Sequence, residues 1–233
     1  MIASLPVVLD HTWRHALDAD AVLRGQGADP AVVRARSARL VEFAQHALER
    51  GLPLLDPWVA ERRHSIERAD RLEIRVQGGG TLSGEAVVRE LGSAREIVVL
   101  AVTVGERIAR LATALMPTEP ALGLAIDGLG NAAVDALANA IVARVRAEAL
   151  TRAWSAGVQL SPGMVGWPLE RGQRDLFSLL PDDGPVRLSD IGMMSPRKSL
   201  SMVIGVGPGM MADASTCDFC SSHDRCRHRG RGC

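Results

Sequence analysis

From Ile126 to about Trp154, the residues Ile126, Leu129, Ala133, Leu137, Ile141 and Val145 recur three or four positions apart, the spacing of one helical face. The small residues between them, mostly alanine, give that helix a side on which another backbone can come close. The same period recurs upstream. Asp29-Pro30 joins a capping carboxylate to a residue suited to a first turn, and Val33, Leu40, Ala44 and Leu48 follow before Gly51, so a helix is expected over about 30–50. Trp13, Leu17 and Ala21 point to a shorter helix before it, and the first 70 or so residues read as helical.

The period then changes. Leu72, Ile74 and Val76 alternate with Glu73 and Arg75, as in a half-buried strand, and Gly78-Gly79-Gly80 breaks it. Ser83 is placed to cap a short helix through Leu91, and the β-branched run Ile97–Val104 reads as a strand buried on both faces. A helix is expected from Glu106 to Met116, ended by Pro117. Trp167-Pro168 opens another, carrying Leu169, Leu176 and Leu180, and Val186–Leu188 and Leu200–Val206 read as strands. The class expected is α+β: a helical N-terminal part of the same domain over 1–70, a body over 71–210 with an antiparallel or mixed sheet packed by helices, and a cysteine-rich tail over 211–233. Gly205-Val-Gly-Pro-Gly-Met begins like a dinucleotide fingerprint but holds Met210 at the third glycine position, and Pro208 removes a donor. It reads as a flexible exit into the tail.

Composition narrows the function. At 233 residues with 47% apolar and 23% charged, the chain can bury a sizeable core, which excludes bulk disorder. Lys plus Arg equals Asp plus Glu at 27 each, and aromatics are 3% with no tyrosine, so neither a basic field nor stacking platforms exist for nucleic acid. The run IVVLAVTVG from Ile97 is far shorter than the roughly 20 residues of a membrane span. MIASLPVVLD lacks the basic start of a secretory signal. A soluble cytoplasmic protein is expected, with no nucleic-acid or membrane partner.

All four cysteines lie in the last 17 residues, CDFCSSHDRCRHRGRGC, at Cys217, Cys220, Cys226 and Cys233. The C-x2-C start is a chelating pair, and four thiolates can close a tetrahedral zinc shell or hold an iron–sulfur cluster. Spacing alone does not choose. His223 and His228 can replace a cysteine in a zinc site, and Cys217 with Cys220 can also serve dithiol exchange. Arg225, Arg227, Arg229 and Arg231 would lower the thiol pKa values and offset an anionic centre.

The runs LSPGMVGWPLERGQ, with S-P-G-x-x-G-W-P-L-x-x-x-Q from Ser161 to Gln173, and M-x-P-x-K-S-x-S from Met194 to Ser201 carry a family resemblance. With the G-N-A-A-V-D-A-L core of the long helix and the terminal cysteines, they resemble the reactivation (activation) domain of cobalamin-dependent methionine synthase. The likeness is greatest to stand-alone forms related to corrinoid-protein reductive activators, and it extends from about residue 70 onward and more weakly before it. It implies an accessory subunit that caps a corrinoid on a partner chain and supports the S-adenosylmethionine-linked reductive return of stalled cob(II)alamin. The partners implied are a corrinoid-binding protein, homocysteine methyltransferase subunits and an electron-donor protein. No catalytic acid, base or nucleophile is demanded, because the hard chemistry is the cofactor's. The barrels of a full synthase, about 250 residues each, do not fit in this chain.

The resemblance also implies cofactor-binding residues: Asp135 on the long helix, then Gln159, Pro162, Gly163, Met164 and Gly166 around the turn. The family pattern at that turn is R-x-x-P-G-Y, and this chain has Gln159 and Met164 at the arginine and tyrosine positions. Glutamine cannot make the charge-assisted bidentate pair that arginine makes with a carboxylate. Arg152 and Arg197 are the candidate substitutes. The motif's departure favours an alternative in which the cluster donates the electron without S-adenosylmethionine; a further alternative is a zinc-stapled binding module without redox chemistry.

Overall fold

The computed structural model of the protein describes residues 11–211. Its strands are β1 (Trp58–Ala69), β2 (Glu73–Val76), β3 (Thr81–Ser83), β4 (Glu96–Thr103), β5 (Ser155–Leu160), the short ribbon β6 (Arg187–Leu188) and β7 (Met194–Ser195), and β8 (Ser199–Gly207). Six of them form one antiparallel sheet in the order β3-β2-β1-β4-β8-β5. The helices are α1 (Ala19–Gly25), α2 (Pro30–Arg36), α3 (Ala38–Gly51), α4 (Glu85–Leu91), α5 (Arg107–Leu115), α6 (Pro120–Thr151) and α7 (Leu169–Ser178). The α+β expectation holds, and the sheet is antiparallel.

Helices cover both faces of the sheet. Val98, Leu100 and Val102 of β4 face a core shared with α1, α3, α5 and α6, while Ile97, Val99 and Ala101 face α4 and α7. Burial on both sides is why β4 reads as an unbroken apolar run. Central to the first core is α6, 32 residues and roughly 48 Å long at 1.5 Å per residue. By length and composition it could cross a membrane, but 67% of its most apolar stretch is buried inside the protein, as in a core helix. Where α1 crosses it, Gly25 meets Gly128 so closely that a methyl on Gly25 would overlap the Gly128 carbonyl.

Several expectations need correction. The helical reading of the first 70 residues fails at β1, whose sequence WVAERRHSIERA alternates poorly because it carries charge on a buried face. Glu61 and Arg63 there close a ring with Arg144 and Glu148 of α6, with Arg63 Nε 3.0 Å from Glu61 Oε1 and Arg144 Nη1 2.5 Å from Glu148 Oε1. Two carboxylates and two guanidiniums thus balance one another in charge, although Arg144 Nε is buried without a hydrogen-bond partner. The helix expected over 30–50 is two, split at Ser37, whose extended backbone ends α2 and whose hydroxyl accepts from Leu40 N at 3.4 Å to cap α3. Ser83 ends β3 instead of capping, and Gly84 precedes α4 at φ +149°. The long helix starts earlier, with Pro120 in its first turn.

The exit at 205–210 is held in place. Gly205 and Gly207 belong to β8, and the Met210 methyl lies against Gly157 and Gly205, leaving Met210 buried. Cys217, Cys220, Cys226 and Cys233 lie outside the described residues.

Candidate functional site

Strand β5 is the sheet edge, and the sequence turn continues from its end. In register, Gln159 stands opposite Ile204 of β8 and Leu160 opposite Val203. Directly opposed residues share a sheet face, so Gln159 lies on the α6 side with Ile204, and Leu160 on the α7 side. Met164 N and Trp167 N donate to Ser161 O and Met164 O at 3.2 and 3.0 Å, and Gly163 N donates to Trp167 O at 2.8 Å. These bonds wind residues 161–167 into a compact knot. Gly163 and Gly166 adopt φ of +96° and +80°, a region that glycine enters without cost, which is the reason for glycine at both places.

Trp167 anchors the knot. Its side chain is 1% exposed, and Gly172 leaves the notch into which its ring nitrogen fits. Pro162 is buried, Met164 is half-buried with its sulfur 3.3 Å from Ser161 N, and the two glycines are exposed. The structure therefore brings together five of the expected residues, Gln159, Pro162, Gly163, Met164 and Gly166, at one end of the edge strand.

Asp135 belongs to α6, on the same side of the sheet as Gln159, with no hydrogen bond between the two. It is the third member of a stripe, Asp127, Asn131, Asp135 and Asn139, spaced by four along the helix. Solvent reaches its carboxylate, but the surrounding protein removes part of its water and raises its pKa above the usual aspartate value. No described residue neutralises it.

Of the candidate cations, Arg152 is committed elsewhere. Its guanidinium makes a bidentate pair with Glu96 at 2.8 Å per bond, stacks on Trp154 at 3.7 Å, and by hydrogen bonding lowers the Glu96 pKa. Arg197 is exposed and makes no hydrogen bond or ion pair with a described residue. Between Arg197 and the sheet lies a residue that sequence reasoning passed over. Lys198 is only 6% exposed, with Nζ 2.7 Å from Asp127 Oδ1 and 2.7 Å from Asn131 Oδ1. Gly130 makes room for its stem: a Cβ there would lie 2.9 Å from Lys198 Cε. Asn131 in turn donates to Gly25 O at 2.9 Å. The signal was present in M-x-P-x-K-S-x-S, but a lysine in sequence defaults to solvent.

Among the described residues, no group of three or more His, Cys, Asp or Glu is arranged to hold a metal ion. An open cleft of about 290 Å³ lies over the opposite sheet face, at Ala60 and Ala101, and not at the turn.

The chain matches no family model, and no curated protein matches it. It is similar in structure to a crystal structure of the MetH reactivation domain bound to AdoHcy, with a TM-score of 0.67 over 91% of this chain and 78% of that one. The fold is that of the MetH reactivation domain. At 16% identity the likeness concerns the arrangement of elements.

Proposed function

We propose that this protein is the reactivation subunit of a multi-chain, cytoplasmic cobalamin-dependent methionine synthase. In this reading it caps a corrinoid held by a partner chain and supports return of cob(II)alamin to the methyl/cob(I) cycle. The observation that carries the reading is the meeting of fold and motif: in a fold like that of the MetH reactivation domain, the S-P-G-x-x-G-W-P knot sits at the end of the edge strand. An electron donor, a corrinoid protein and a homocysteine methyltransferase are its required partners.

The residues fit S-adenosylmethionine in a weakened form. That molecule, when bound, supplies a methyl group. Asp135, with no partner among the described residues, suits a cationic amino or sulfonium group; Gln159 offers a neutral donor to a carboxylate, and Arg197, unpaired among the described residues, is a cation near the start of β8. Exposed Gly163 admits close backbone approach, since a Cβ there would meet only Leu169, at 3.5 Å. The protein's part is to position and to shield.

The test is anaerobic. A cob(II)alamin-loaded corrinoid protein with a reductant and S-adenosylmethionine is followed by absorption, and addition of this protein is expected to accelerate loss of the cob(II) band. An unchanged rate removes the reading. Gln159→Arg is expected to tighten S-adenosylmethionine about tenfold by calorimetry, the difference between a neutral and a charge-assisted hydrogen bond.

Asp135→Asn gives a signature that a merely structural residue would not. The raised pKa means that the fold disfavours the carboxylate, so the variant is expected to melt higher at pH 7, while S-adenosylmethionine affinity falls. Its gain in stability shrinks as pH drops through the raised value and the native carboxyl protonates. A Tm gain that persists unchanged into acid would remove the assigned cause.

Gln159 and Met164, in place of the family's arginine and tyrosine, favour a second reading in which Cys217, Cys220, Cys226 and Cys233 hold an iron–sulfur cluster that donates the electron directly. Iron and a visible charge-transfer spectrum in anaerobic protein support it; zinc without iron supports a stapled binding module.

A further inference from the structure

Across β1, β4 and β8, Ala60 faces Ala101, and Ala101 faces Ser201. This row of small side chains leaves the sheet hollow on the α7 side, where its neighbours Val99 and Val203 fill the core. The chain from Leu180 to Leu188 passes over the hollow and turns it into the cleft of about 290 Å³. Trp58 and Phe177 supply aromatic wall, and Leu180, Val186 and Leu188 supply aliphatic wall. Gly184 is pressed onto the Trp58 indole, where a Cβ would lie 2.9 Å from Cζ3 and closer still to two other ring atoms, so the covering loop is seated on the tryptophan.

Two opposite charges sit on that loop. Arg187 lines the cleft, and its Nη1 donates to the carbonyls of Gly184 and Val186, the second at 3.0 Å, which holds the guanidinium at the loop. No carboxylate of a described residue pairs with it. Asp182 also lines the cleft and makes no hydrogen bond or ion pair with a described residue. An apolar hollow edged by an unpaired cation and an unpaired anion matches a ligand with an apolar body, one carboxylate and one ammonium. A purely apolar ligand would leave both charges unused, and a singly charged one would use half.

We propose that this cleft binds a free α-amino acid with an apolar side chain, with Arg187 meeting its carboxylate, Asp182 its ammonium, and the Ala60–Ala101 hollow its side chain. The site is on the other sheet face from Gln159 and Asp135, and the proposal does not depend on the corrinoid reading. Calorimetric titration of the full chain with L-leucine and L-methionine, without corrinoid or S-adenosylmethionine, is the test. Saturable binding is expected for at least one, with isocaproate and isopentylamine, which each keep one charge, at least tenfold weaker. Arg187→Gln and Asp182→Asn, both at exposed positions, are expected to weaken binding about tenfold each with an unchanged circular dichroism spectrum. Ala101→Leu is expected to fill the hollow and abolish binding. Absence of saturable heat with both amino acids, equal binding of either singly charged analogue, or indifference to both loop substitutions overturns the proposal.

Discussion

Gly25→Ala is expected to lower the unfolding free energy by about 3 kcal/mol, seen as a lower urea midpoint at unchanged slope. The added methyl has nowhere to go. It would overlap the Gly128 carbonyl and come within 3.1 Å of Ala132 N, both backbone of α6, which cannot rotate aside as a side chain can. The contact is mutual, since a Cβ on Gly128 would lie 2.8 Å from Val22 O. Only separation of α1 from α6 relieves the overlap, and that loosens the core around Val22, Leu23 and Leu129. In isolated helices the same change is favourable by about 1 kcal/mol, so even the sign of the effect reports the crossing. A neutral or stabilising result removes the argument.

Lys198→Met is expected to cost about 2 kcal/mol. Breaking a fully buried ion pair costs about 3–5 kcal/mol, but the Asp127 side chain is 35% exposed and water recovers part of the loss. Asn131 loses its donor as well, leaving it tied only to Gly25. Because Asp127 is the abandoned partner, Asp127→Leu in the same chain is expected to return part of the stability, giving a measurable coupling in a double-mutant cycle. Additive losses would mean that the lysine acts through its stem alone.

What could be read from the chain follows from where each element finds its partners. The periods of α5, α6 and α7 and the unbroken run of β4 are set by the core, so they are visible locally. The strand β1 is not, because Glu61 and Arg63 are made tolerable by Arg144 and Glu148, more than 80 positions away. Strand β5 is short and contains Gly157, which weakens its pattern, and only its ladder with β8 establishes it as a strand. At the candidate site, the turn was legible because its glycines are demanded by backbone geometry, as the positive φ values of Gly163 and Gly166 confirm. Lys198 was not, since its burial depends on a notch at Gly130 in another element. Arg152 looked available in sequence and is occupied by Glu96, a partner that only the fold supplies.

The seat of Met210 against Gly157 sets a tether length. Gly157 and Ser161 are four residues apart along the edge strand, about 13 Å at the rise of a β-strand. From Met210 the chain needs seven more residues to reach Cys217, a contour of up to about 24 Å. Seven residues of chain can therefore span more than the length of that strand segment. Under the proposed iron–sulfur reading, the first ligand of such a centre would have to lie within that contour of Met210.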